Sequence, residues 1–181
     1  MNLRLSTIIL VVLCMGAISC KSQQSSTAES GKLSPDQAAA ERRVLVAWFE
    51  CEECTSGELE AVVKLGPAVV PSLAATLFSG PPPASREIQR DHLVQTYKEM
   101  QAYGREHPRE AKTKSSEEDY VRMYSENYVA LYQTRAARAL GAIGGEQARN
   151  ALTEALKSSA REDVRSSVKE ALQKMGAPRS D

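Results

Sequence analysis

Ala136-Ala137-Arg138-Ala139-Leu140-Gly141-Ala142-Ile143-Gly144, followed after Gly145 by Leu152-Thr153-Glu154-Ala155-Leu156, decides the fold. Alanine and leucine are strong helix formers, and Ala136, Ala139, Leu140 and Ile143 fall on one helical face at steps of three and four. Gly144-Gly145 ends that helix in the usual C-terminal manner. The pattern recurs. With Gly176 placed on Gly144, Leu172 falls on Leu140, Ala171 on Ala139, Val168 on Ala136 and Met175 on Ile143. With Gly66 placed on Gly144, Leu65 falls on Ile143, Ala61 on Ala139 and Val62 on Leu140. A second helix follows the glycine in two of the three cases. Residues 67–79 carry Leu73 and Leu77, and residues 146–158 carry Leu152 and Leu156, in register once Gly145 is allowed for. The unit is a helix, a glycine stop and an antiparallel helix, which buries its apolar face by stacking on its neighbours.

These two quoted segments resemble the HEAT-repeat family, in particular the short HEAT-like units of phycobilisome-lyase-type proteins. The likeness covers roughly 56–80 and 130–176 and is weak between them, where a long helical hairpin is inserted. The resemblance implies a curved solenoid whose inner face binds partners, and it specifies a fold rather than an activity. Helices at 35–50 and 85–107 are expected to cover the ends of so short an array. The expected fold is all-α over residues 34–177: a short HEAT-like α-solenoid of antiparallel helix pairs with an inserted long helical hairpin.

Working outward, helix starts are marked by capping boxes, in which a Ser or Thr is followed three residues on by Glu or Gln. Ser34-Pro35-Asp36-Gln37, Thr55-Ser56-Gly57-Glu58, Ser115-Ser116-Glu117-Glu118 and Ser159-Ala160-Arg161-Glu162 all fit. Gly80-Pro81-Pro82-Pro83 reads as a stiff extended connector. A helix is expected from about Ser85 to Gly104, with Leu93, Tyr97, Met100 and Gly104 on one face, ended by His107-Pro108. Arg109 to Ser115 reads as a charged loop. The long helix that follows is expected to bury Val121, Tyr124, Tyr128, Leu131, Ala136, Ala139, Leu140 and Ile143. No run of alternating residues reads as a strand.

At the N-terminus, Arg4 precedes an uncharged, mostly apolar run at 8–18, which is shorter than the roughly 20 residues a membrane-spanning helix needs. It reads as a signal peptide over residues 1–19. Ala17-Ile18-Ser19-Cys20 resembles the lipobox of bacterial lipoproteins, with Ala17 where that family prefers leucine. The resemblance implies that the Cys20 thiolate takes a diacylglyceryl group and that the amine is acylated after cleavage. Lys21 in place of aspartate then favours the outer membrane, facing the periplasm. A plain secretory signal cut near the same point is the alternative. Residues 20–33 are rich in Ser and Gln and read as a lipidated flexible tether.

The composition excludes a strong electrostatic partner: 23 Lys and Arg balance 23 Asp and Glu, and no basic cluster suggests nucleic acid. Cys51-Glu52-Glu53-Cys54 admits a structural disulfide in an oxidising compartment, free thiols at a helix junction, or a redox or metal role. The redox motif belongs in a βαβ context that is absent. A metal site needs four ligands, and the two histidines, His92 and His107, lie far away on other elements. Tyr120, Tyr124, Tyr128 and Tyr132 recur every four residues. They either pack against the 85–107 helix, interdigitating with Tyr97 and Tyr103, or form an aromatic wall for a partner, with Arg122, Asn127, Arg135 and Arg138 as polar contacts. Paired acids such as Glu117-Glu118 and Glu52-Glu53 read as helix-terminus charges. No catalytic constellation and no cofactor motif is found. The function expected is a lipid-anchored envelope protein acting as a helical-repeat scaffold for an unknown protein partner, attached to the membrane through its N-terminal lipid. The alternative is a redox or enzyme-accessory protein using Cys51 and Cys54.

Overall fold

The computed structural model describes residues 34–108 and 115–176. The signal peptide, Cys20, the tether, the 109–114 part of the charged loop and the C-terminal boundary at 177 lie outside the described residues. The elements are α1 (Pro35–Glu50), α2 (Ser56–Leu65), a 3-10 turn (Gly66–Val69), α3 (Val70–Ser79), α4 (Pro83–Glu106), α5 (Glu117–Ile143), α6 (Glu146–Ser158) and α7 (Glu162–Gly176). No strand occurs among the described residues.

Two of the four capping boxes form as written. Ser34 accepts from the Gln37 amide while the Gln37 side chain returns to the Ser34 amide at 3.0 Å. Thr55 and Glu58 repeat the exchange. The third shifts by one residue: Ser116, not Ser115, caps α5, and its hydroxyl accepts from the Asp119 amide at 3.1 Å. The fourth does not cap α7, because Ser159 is consumed as the C-cap of α6, its amide donating to the Ala155 carbonyl. The hairpin helix is also longer than expected, running from Pro83 to Glu106, since proline suits a first helical turn.

The repeat positions sit at matching depth. Val62 and Leu140 are fully buried, as are Ala136 and Val168, and Ala139 pairs with Ala171. Gly66 and Gly144 stop their helices in the same conformation, φ 69° ψ −156° and φ 74° ψ −163°, a region that glycine, lacking a β-carbon, enters at little cost. The helices α2, α5 and α7 form one layer and α3 and α6 the other. The long helix α5 is common to both parts of the molecule. Its C-terminal half packs on α7 and α3, and its N-terminal half pairs with α4 as the inserted hairpin. At Gly141 a β-carbon would lie 2.7 Å from the Ala171 β-carbon, so α5 and α7 touch nearly backbone to backbone.

One expectation fails on α5. Tyr124 and Leu131 are 42% and 40% exposed, whereas Tyr120, Ala130, Tyr132, Arg135 and Ala137 are buried. The helix has neighbours on several sides of its C-terminal half and on one side of its N-terminal half, so no single stripe describes what it buries. Residues Ser56–Ser79 contain an 18-residue stretch of mean hydropathy 1.6, long and apolar enough by composition to cross a membrane. Gly66 breaks them into two helices, and Val62, Val69, Val70, Leu73 and Leu77 belong to the core.

Candidate functional site: the junction of α1 with α5

The last carbonyls of a helix lack intrahelical donors, and α1 has no basic residue in its last turn. Arg135 of α5 supplies what is missing. It is the one buried charged residue among those described. Its Nη1 donates to the Phe49 carbonyl, and its Nη2 to the Cys51 carbonyl at 2.7 Å. The fork places positive charge where the helix dipole is negative. The indole Nε1 of Trp48, itself 1% exposed, returns a hydrogen bond to the Arg135 carbonyl at 3.2 Å. Burial lowers the affinity of the guanidinium for its proton, and the charge of Glu50 counters this.

Glu50 closes the junction on the outer side. Its Oε1 accepts from the Tyr128 hydroxyl at 2.9 Å and from the Tyr132 hydroxyl. The Phe49 and Tyr132 rings stack with centroids 4.8 Å apart, and Tyr128 meets Tyr132 edge-on at 5.1 Å. Burial pushes the pKa of both phenols above the usual tyrosine value, and the Glu50 carboxylate pushes both further in the same direction.

Cys51 and Cys54 form a disulfide with their α-carbons 5.2 Å apart. The bridge spans the turn between α1 and α2, with Cys51 already extended as the C-cap of α1, so the helix opens one turn earlier than Cys54. Both sulfurs face carbonyl oxygens at the negative end of α1. Cys51 Sγ lies 3.1 Å from the Trp48 oxygen, and Cys54 Sγ lies 3.7 Å from the Cys51 oxygen.

Beside this junction, a cleft of about 410 Å³ separates α1 from α3, with Leu45, Val46, Phe49 and Glu50 on one wall, Thr76 on the other and Tyr132 behind. Leu45 is partly buried and Val46 is 53% exposed.

The tyrosine row does not form one wall. Tyr120 is buried against Tyr97 of α4, with centroids 5.4 Å apart, and Tyr124 leans on Tyr120 at the surface. Tyr128 and Tyr132 turn to the end of α1. Tyr103 stacks on His107 rather than joining the row. Arg138 is exposed where Arg135 is buried, Arg122 pairs with Asp119, and Asn127 accepts from Arg161 at 3.1 Å. His92 and His107 are exposed. Among the described residues, no group of three or more His, Cys, Asp or Glu side chains could hold a metal ion. Sequence reasoning missed Glu50 and Trp48 and misassigned Arg135. The signal available was the end of α1, where neither a glycine nor a basic residue follows and the open carbonyls require a donor from elsewhere.

The PBS lyase HEAT-like repeat is the family whose model matches this chain, over residues 133–158. That segment is the second half of α5, the Gly144-Gly145 stop and α6. No curated protein and no solved structure matches. With the layered helices, the match shows an all-α helical-repeat fold that contains a HEAT-like unit.

Proposed function

We propose that this chain is a lipid-anchored protein of the bacterial cell envelope whose HEAT-like domain holds a protein partner and performs no catalysis of its own. The observation that carries the interaction reading is the HEAT-like repeat at 133–158, since stacked helical repeats present extended binding surfaces. The anchor rests on the Ala17-Ile18-Ser19-Cys20 motif. The Cys51–Cys54 disulfide supports export, because disulfides persist in oxidising compartments. The same disulfide is the basis of the redox alternative, against which stands the lack, among the described residues, of the βαβ context in which a redox C-x-x-C belongs. The balanced charge favours neither nucleic acid nor a bare anionic surface. On this reading the protein faces the periplasm from the outer membrane.

Metabolic labelling with a fatty-acid probe tests the anchor: Cys20→Ser should lose both the label and sedimentation with membranes. Label retained on the Cys20→Ser protein would sink the lipoprotein reading. The redox alternative gains if the Cys51–Cys54 disulfide in the isolated protein is cleaved by a mild thiol faster than an unfolded peptide carrying the same bridge.

A further inference from the structure

We propose that the cleft between α1 and α3 receives a basic side chain of the protein partner, presented next to an apolar one. The proposal rests on the interaction reading above and names the chemistry of its partner. Along the cleft, α1 presents Leu45, partly buried against the core, and Val46, which stays 53% exposed in the wall of a concave site. Concave, mostly apolar sites with a few placed polar groups are where ligands gain most from desolvation.

The polar group is Glu50, at the end of the cleft. Both phenols bind one of its oxygens, Oε1. The other, Oε2, has no hydrogen-bond partner among the described residues. A carboxylate already held by two hydroxyls loses little rotamer freedom when a cation arrives. Glu50 is solvent-exposed, so a pair formed there gains what a well-placed surface ion pair gains. Arg135 lies behind Glu50 and its charge offsets part of the carboxylate's, but its two Nη groups donate to the Phe49 and Cys51 carbonyls, so Oε2 is open to another donor. Glu41 and Glu50 also line the cleft against the single guanidinium of Arg42, which leaves the lining with one negative charge in excess. An acidic occupant would meet that excess, and a purely apolar one would cover Oε2 without pairing it; either carries a penalty that a lysine or arginine does not.

Methyl spectra of the full-length chain in detergent micelles test this, with N-acetyl leucyl-lysine amide as probe and the leucyl-norleucine and leucyl-glutamate amides as controls. The lysine probe should shift the Leu45 and Val46 methyl signals and bind about two- to fivefold more tightly than either control. Glu50→Gln should erase that preference. Val46→Lys, at a half-exposed position that folding tolerates, should erase it as well by placing a competing cation in the wall. Absence of shifts, equal binding of lysine and norleucine probes, or a preference that survives both substitutions overturns the proposal. In cells, a photo-crosslinking residue at Val46 should trap a partner that Glu50→Gln loses. Adducts from a photo-crosslinker at exposed Leu131 alone would leave the scaffold reading standing and remove the cleft from it. Adducts from neither position would remove both.

Discussion

Arg135 shows how much one side chain can hold together. Its fork satisfies two carbonyls that α1 cannot satisfy itself. Arg135→Met should therefore cost about 2–3 kcal/mol, the range for hydrogen bonds from a charged donor. Arg135→Lys should recover only part of this, since an ammonium cannot bridge both carbonyls in one plane. Urea unfolding followed by circular dichroism measures both. The phenols beside it make a pH prediction. The pKa values of Tyr128 and Tyr132 are raised in the folded state, by burial first and then by Glu50, above the ordinary 10.0. The folded chain thus keeps protons that the unfolded chain releases. The stability this confers is whole below about pH 10 and is lost as the pH climbs beyond it. Urea midpoints should fall between about pH 9 and pH 11, and Tyr132→Phe should flatten the fall. An equal slope in the Phe variant would show that the junction does not control alkaline stability.

Helix ends and helix contacts were read with different success. The starts at Ser34 and Thr55 and the stops at Gly66 and Gly144 were readable because each depends on residues within one turn. The end of α1 was not, because its donor arrives from α5. Two glycines make a contrast at this scale. Gly141 lies against Ala171, with no room for a β-carbon, so Gly141→Ala should destabilise by about 1–3 kcal/mol through overpacking. Gly57, in the first turn of α2, would place its β-carbon at ordinary contact distance, 3.4 Å from Thr55 Oγ1. Gly57→Ala should stabilise by about 0.4–1 kcal/mol by restricting the unfolded chain. Thermal melts of the two variants should move in opposite directions. Replacing Cys51 and Cys54 with serine should cost less than about 2 kcal/mol, because the loop they close is so short.

Across the whole molecule, α5 touches every other helix layer, so the domain should not melt repeat by repeat as a long solenoid can. Calorimetry should show one transition with equal calorimetric and van't Hoff enthalpies. Two resolved transitions would mean that the α4–α5 hairpin and the repeat unfold separately. Removing α7 by deleting 160–176 should abolish cooperative unfolding, since Val164, Val168 and Ala171 leave the core with it. On α7, Glu162 pairs with Lys169 and Glu170 with Lys174.

Spacing alone carried the repeat, because burial at Val62, Leu140 and Val168 follows from a periodicity that any helix obeys. It also carried the cysteine pair, since residues 51 and 54 cannot lie far apart. The fate of the tyrosines was another matter. Four residues at one spacing, Tyr120 to Tyr132, met α4 at one end and α1 at the other. Their angular positions on α5 were known in advance; which neighbour stood at each angle was not. Arg135 looked like a surface contact for the same reason: the carbonyls it serves are 84 and 86 residues away along the chain. Only the packing of α1 onto α5 brought those carbonyls within reach, because a helix face acquires its partners from the whole fold and not from its own periodicity.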